Sequence, residues 1–259
     1  MFDSGVGGLS ICEHIQRQLP GLALHYLSDN AGFPYGEKTE ADLLARASSV
    51  VLAAVRKLDP AIVIIACNSA STIALPTLRD ALSIPVIGVV PAIKTAARES
   101  RSGVFGLLAT PGTVRRSYTA SLIEEFASEH TVISIGSGEL VAAIEQYLQG
   151  GEPPTALVEQ IVGEFRNRGG AALDTVVLGC THFPLVRPLF EAAAPQWRWV
   201  DSGPAIASRL QALLPEPAHA VGNPALSRCW FTGSDVLNSK LPDELQRRGF
   251  AHCEWLPLD

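Results

Sequence analysis

Short apolar runs alternate along the chain with longer segments in which apolar positions recur every three or four residues. The runs predict strands at Leu22–Leu27, Ala61–Ala66, Val86–Val89, Val104–Leu108, Thr131–Ile135, Thr175–Leu178, Trp197–Val200 and Cys229–Phe231, with a short one near His252. The other segments predict helices at Gly8–Leu19, Glu40–Leu58, Ser71–Leu82, Ala92–Arg101, Thr113–Ala127, Glu139–Leu148, Ala156–Arg168, Leu185–Ala193, Ala205–Leu213 and Val236–Arg248. The pattern is clearest at Glu40–Leu58, where Leu43, Leu44, Ala47, Val50, Val51, Ala54 and Leu58 form one apolar stripe. Thr39, followed three residues later by Asp42, is the expected N-terminal cap of that helix.

Strand and helix in alternation over the whole length mean an α/β fold with mainly parallel sheet. Continuous apolar strands such as AIVIIA and TVVLG suit a sheet covered on both faces. No periodic repeat is visible, and GGEPPT at Gly150–Thr155 is the one loop-like linker of note.

Composition narrows the function classes. A chain of 259 residues with 47% hydrophobic content can build a substantial core, as one large domain or two ordinary ones. The net charge of −6, with only short basic pairs such as Arg115-Arg116 and Arg247-Arg248, lacks the footprint of a nucleic-acid binder. No apolar run reaches the ~18 residues of a membrane span, and no basic-then-apolar leader opens the sequence. The expectation is a cytoplasmic protein. Five cysteines, Cys12, Cys67, Cys180, Cys229 and Cys253, stand at irregular spacings that fit a reducing compartment better than a disulfide framework. With no C-x-x-C or H-E-x-x-H, a zinc site has little support.

Open parallel sheets bind ligands at the carboxyl ends of their strands. Cys67 lies at such a seam, between an apolar strand and Asn68-Ser69-Ala70-Ser71-Thr72. Alone it would read as a packing residue. A second seam, VVLGCTHFPL at Val176–Leu185, repeats the grammar with Cys180, Thr181, His182 and a proline opening a helix. Two strand-end thiols point to chemistry. A helix N-terminus favours the thiolate, the reactive form, and its N–H groups, with Asn68, Ser69 and Thr181, suit a carboxylate ligand. No arginine sits beside either motif. Two thiols facing each other across a cleft, one ionised and one not, can take a proton from one face of a carbon and return one to the other. The MFDSGVGGLS opening offers Asp3 and Ser4 before a glycine turn. DNAGFPYGEK offers Tyr35 and Gly36, and GLLATPGTV offers Thr110 and Thr113.

Standing in order, FDSGVGGL, PYG, ACNSAS, ATPGTV and GCTHFPL make the sequence resemble the cofactor-independent glutamate racemases, within the aspartate/glutamate racemase superfamily. The likeness runs from Phe2 to about Gly203. It implies two pseudo-symmetric three-layer α/β domains with the active site between them. One would comprise residues 1–91 plus 206–259 and the other residues 92–205. The implied reaction interconverts L- and D-glutamate without pyridoxal phosphate or metal, supplying D-glutamate for peptidoglycan and hence for cell shape. By family role Cys67 takes the α-proton of D-glutamate and Cys180 that of L-glutamate. Asp3 assists Cys67, and His182 with a helix glutamate, matched to Glu145 in SGELVAAIE, assists Cys180. Ser4, Tyr35, Gly36, Asn68, Ser69, Thr181 and His182 match substrate-binding positions, with Asp3, Thr110 and Thr113 added from the seams. Family members often dimerise, so a homodimer is the expectation; no nucleic acid or membrane partner is expected.

Three departures from the family pattern matter. Ser69 replaces the usual Thr, and the segment Ser137–Ala142 lacks the prolines and cysteine common there. Met1-Phe2 is all there is of a first strand, so that strand is very short or upstream residues are omitted. The absent extension also removes any visible basis for activation by a cell-wall precursor. Rival readings are a two-cysteine isomerase acting on aspartate, a hydantoin or maleate; a cysteine hydrolase using Cys180 and His182; and a two-lobed amino-acid-binding protein that needs neither thiol. Some relatives have a second role on DNA gyrase, for which nothing in the sequence speaks. Cys12, Cys229 and Cys253 read as packing residues, and His14, His25, His130, His219 and His252 as surface or capping residues. Asp201-Ser202-Gly203 echoes the opening motif and reads as a helix cap.

Overall fold

The computed structural model describes residues 1–214 and 227–257; His219 lies outside them. Among the described residues ten strands form two wholly parallel sheets. The chain runs β1 (Phe2–Asp3), α1 (Leu9–Gln18), β2 (His25–Ser28), α2 (Glu40–Leu58), β3 (Val63–Ile65), α3 (Asn68–Ala81) and β4 (Val86–Gly88). It continues through α4 (Ile93–Glu99), β5 (Val104–Ala109), α5 (Pro111–Arg115), α6 (Ser117–Ala127), β6 (Thr131–Gly136), α7 (Gly138–Leu148), α8 (Thr155–Gly169), β7 (Thr175–Leu178), α9 (Arg187–Ala193) and β8 (Arg198–Val200). Last come α10 (Gly203–Leu213), β9 (Arg228–Phe231), α11 (Leu241–Arg247) and β10 (His252–Trp255). The larger sheet has the order β10-β9-β2-β1-β3-β4 and the smaller the order β6-β5-β7-β8. The arrangement of the first four strands, second-first-third-fourth, therefore recurs in the next four.

Strand alternation explains why both faces of each sheet are covered. Leu27, Val63 and Ile65 face α2 and α3, whose Leu43, Ala47, Val50, Ala70 and Ala74 are buried against them. Tyr26 and Ile64 point the other way, toward Leu9, Ile11 and Ile15 of α1. In the smaller sheet Phe105, Leu107 and Val177 meet Ile93, Ala96 and Ala127, while Leu108, Val176 and Leu178 share a core with Phe165 and Phe190. The stripe read on α2 is the buried one, and Thr39 Oγ1 accepts from the Asp42 N–H at 3.2 Å as its cap.

Strand β2 starts at His25 rather than Leu22, and four helices differ from the sequence expectation. The helix expected over Thr113–Ala127 is two, broken at Arg116, whose backbone is extended (φ −71°, ψ 141°). The Thr119 hydroxyl takes the Thr113 carbonyl at 2.6 Å, a local bond that competes with the helical ladder. α3 begins at Asn68 rather than Ser71, because the Ser71 N–H already donates to Cys67 O at 2.8 Å and makes Cys67 the N-cap residue; the Ser71 hydroxyl donates to Ile65 O and accepts from the Val89 N–H. Leu185–Ala193 is a 3₁₀ turn (Phe183–Val186) followed by α9, which places Pro188 in the first turn, where its missing N–H costs nothing. Val236–Arg248 is likewise a 3₁₀ turn at Asp235–Asn238 and then α11.

Candidate functional site

In each sheet the direction of strand addition reverses beside the strand that enters first, and a crevice opens there at the carboxyl ends. The larger sheet reverses between β1 and β3, the smaller between β5 and β7. The segments leaving these four strands are Asp3-Ser4, Cys67-Asn68-Ser69, Thr110-Pro111 and Cys180-Thr181-His182, and all line one cleft. The Phe33–Glu37 loop after β2, with Gly138 and Val141 of α7, completes the wall. Each sheet thus contributes one thiol, placed equivalently after its third strand.

The two thiols differ in what surrounds them. Cys67 is the N-cap residue of α3, at the positive end of the helix. Burial and then the Asp3 carboxylate nevertheless push its thiol up, against the opposing Ala70 N–H and Ser4 hydroxyl. The expected ionising influence of the helix is present and outweighed by burial and Asp3. Cys180 is not followed directly by an α-helix; its neighbour is His182, with Nδ1 at 3.7 Å from Sγ. His182 Nε2 lies 2.7 Å from Glu145 Oε1. Burial opposes charge on that imidazole, but the bonds to Cys180 and Glu145 prevail and hold its pKa well above the ordinary value. The environment of one sulfur thus favours a cation beside it, while the other sulfur has the Asp3 carboxyl for a neighbour.

Asp3 is fully buried, and burial raises its pKa even though His182, the Thr181 hydroxyl and the Ser4 N–H all favour its ionised form. The Ser4 N–H donates to Asp3 Oδ1 at 2.6 Å, and the Ser4 hydroxyl stands 3.8 Å from Cys67 Sγ. From the opposite side of the cleft, Thr181 Oγ1 donates to Asp3 Oδ2 at 3.0 Å. The Asn68 amide reaches across to Gly179 O, which leaves Asn68 Oδ1 buried without a partner. A buried acceptor in that condition is a ready anchor for an N–H donor of a ligand.

Glu145 also accepts from the Val6 N–H at 2.7 Å, so the opening glycine turn touches the same chain of contacts as His182 and Cys180. A Cβ built on Gly7 would stand 2.5 Å from both His182 Nδ1 and Thr181 Oγ1. Gly7→Ala is therefore expected to displace His182 and Thr181, and any chemistry that uses these groups should slow by about a hundredfold, the cost of a ~1 Å misplacement. Circular dichroism with steady-state assay checks this: native secondary structure with lost turnover is the expected result.

At the far end of the cleft three hydroxyls converge. Thr110 Oγ1 donates to Thr113 Oγ1 at 2.9 Å, and Ser69 Oγ lies 3.5 Å and 3.4 Å from these two. Gly36 packs against Thr110 so closely that a Cβ there would be 2.9 Å away. The Tyr35 hydroxyl is turned away and donates to Asp29 Oδ2 at 2.6 Å. Asp29 in turn holds Arg46 and accepts from Thr232 Oγ1, so the loop offers its backbone, not its phenol, to the cleft.

Every residue singled out in the sequence either lines the cleft or, for Thr113 and Glu145, bonds to one that does. Sequence reasoning missed Asp29 and Arg116. No arginine stands beside either thiol motif in the chain, yet the fold brings one there: Arg116 Nη1 donates to Ser69 O at 3.4 Å and to Thr72 Oγ1 at 3.2 Å. Asp201 faces away from the cleft and accepts from the Gly203 N–H at 2.7 Å, a turn-type contact at the start of α10. Cys12 and Cys229 are buried and Cys253 half-buried. Among the described residues no group of three His, Cys, Asp or Glu side chains is placed to hold a metal, and no helix is long and apolar enough to cross a membrane.

The profile of the family described as Asp/Glu/Hydantoin racemase matches residues 6–210. The chain is 43% identical over 259 residues to the glutamate racemase of Klebsiella pneumoniae (strain 342), covering 100% of this chain and 91% of that one. It is 44% identical over 263 residues to that of Escherichia coli K12, covering 100% and 90%. Among solved structures, Escherichia coli glutamate racemase in complex with L-glutamate and the activator UDP-MurNAc-ala superposes with a TM-score of 0.89 at 42% identity, covering 99% of this chain and 96% of that one. Glutamate racemase from Thermus thermophilus in complex with beta-chloro-D-alanine gives 0.77 at 27% identity, covering 99% and 95%.

Proposed function

This chain belongs to the Asp/Glu/hydantoin racemase family and is an amino-acid isomerase of the glutamate racemase kind; we propose that it inverts glutamate by proton transfer between Cys67 and Cys180. The observation that carries this reading is the placement of one thiol at the switch point of each sheet, both lining one cleft. In this reading the unit of residues 1–91 with 206–259 supplies Cys67 and the unit of residues 92–205 supplies Cys180. One sulfur, as thiolate, breaks the Cα–H bond and keeps the proton. The electron pair is delocalised into the α-carboxylate, and the other thiol delivers its proton to the opposite face. The return direction needs the reverse protonation states, so the pair titrates as a unit.

The two sulfurs are served differently. His182, held cationic by Glu145, favours negative charge on Cys180 and makes it the base for L-glutamate. Cys67 begins as the protonated partner, kept so by burial and by Asp3. The substrate ammonium replaces the missing partner of Asn68 Oδ1 and offsets the Asp3 charge, which lets Cys67 ionise for the D-enantiomer. The N–H groups at the start of α3 and the Thr181 segment hold the α-carboxylate. The Ser69, Thr110 and Thr113 hydroxyls, with the Gly36 backbone, take the distal carboxylate. In this reading the protein is cytoplasmic and its product, D-glutamate, supplies peptidoglycan synthesis.

Proton NMR of L- or D-glutamate with the dialysed protein in D2O tests the proposal. The α-proton signal is expected to disappear while the opposite enantiomer forms. Folded protein that exchanges no α-proton at any glutamate concentration would refute the reading and favour the amino-acid-binding alternative.

A further inference from the structure

Arg116 occupies the extended link between α5 and α6, and only 8% of it is exposed. Its polar contacts are Ser69 O and Thr72 Oγ1, both neutral. Among the described residues no carboxylate lies within ion-pairing distance of it. Other partly buried arginines are paired: Arg46 with Asp29, Arg187 with Asp201 and Arg248 with Glu244. Glu40 acts on it only from beyond contact, and a buried guanidinium with no anion in contact is costly to keep. Burial accordingly lowers its pKa.

The charge lies behind Ser69, whose hydroxyl faces Thr110 and Thr113 in the cleft. Hydroxyls donate and accept equally well, so this trio by itself receives an amide as readily as a carboxylate. The trio fixes position and leaves charge unselected. We propose that Arg116 is a positioning residue that supplies, through Ser69, the countercharge for the substrate's distal carboxylate and so makes the cleft prefer a dicarboxylic amino acid to its neutral amide. This inference rests on the glutamate reading above. The guanidinium acts through its field and through the carbonyl and hydroxyl it holds, and does not touch the substrate.

The experiment compares calorimetric Kd values for D-glutamate and D-glutamine in the wild type, Arg116→Gln and Arg116→Lys, with KM and kcat for glutamate alongside. A charge at this range across protein dielectric is worth about tenfold in affinity. Arg116→Gln is expected to raise Kd and KM for glutamate about tenfold, to change kcat little, and to narrow the glutamate-to-glutamine preference by the same factor. Arg116→Lys should restore most of that preference. A variant that loses glutamate and glutamine affinity equally would show Arg116 to be merely structural and would overturn the inference, as would an unchanged ratio. A wild type that binds glutamate without exchanging its α-proton would overturn the racemase reading alone and leave the Kd ratio as the test of Arg116. A wild type that binds neither would overturn both.

Discussion

Cys67→Ala and Cys180→Ala are each expected to lower racemisation by about 10⁴-fold, the upper range for loss of a positioned acid–base group. Both side chains border the cleft, so removing one sulfur should cost stability only about 1 kcal/mol. The losses should be one-sided in a telling way. With Cys180 gone, Cys67 still reaches the α-proton of D-glutamate, and slow exchange with solvent is expected for that enantiomer without inversion. With Cys67 gone, the same residual exchange belongs to L-glutamate. Chiral chromatography and NMR on each variant, started from each enantiomer, read this directly. Near-normal turnover in either variant would end the two-thiol account.

Glu145→Gln carries the second large effect. His182 has its pKa raised in the fold, burial opposing and the Cys180 and Glu145 contacts prevailing. A group so raised contributes stability that is fully present below its unfolded pKa of ~6.5 and is lost as pH rises through the folded value. Replacing Glu145 leaves burial less opposed, and the imidazole then loses its proton at lower pH. Turnover is expected to fall about a hundredfold. The alkaline limb of the kcat profile from L-glutamate should move toward neutrality. The difference in melting temperature from the wild type should be largest on the acid side and shrink as pH rises. An alkaline limb in the same place would mean that Glu145 does not control the His182 proton.

How far the sequence reveals this site depends on the range of the interaction. Cys67 and Cys180 were legible because an apolar run ending in a thiol and small polar residues is a local pattern, and its repetition marks two equivalent sheet edges. The sheet assignment followed from AIVIIA and TVVLG for the same reason. Arg116 was not legible: it stands far from Ser69 in the chain, and only the break between α5 and α6 brings them together. The Asp29 hub gathers Tyr35, Arg46 and Thr232 from three separate stretches. The state of Cys67 shows the limit most clearly. Its place at a helix N-terminus is a local fact, whereas burial and the Asp3 carboxylate, which outweigh the helix, arise from packing.

The early isotope distribution in D2O tests two-sided proton transfer most directly. Starting from undeuterated L-glutamate and stopping at the first few per cent of conversion, mass spectrometry of the separated enantiomers gives the deuterium at Cα. With two thiols, D-glutamate should be fully deuterated from the first turnover while recovered L-glutamate remains protiated. Protium carried into D-glutamate, or deuterium entering both enantiomers at equal rates, would mean that a single base serves both faces and would contradict the assignment of Cys67 and Cys180.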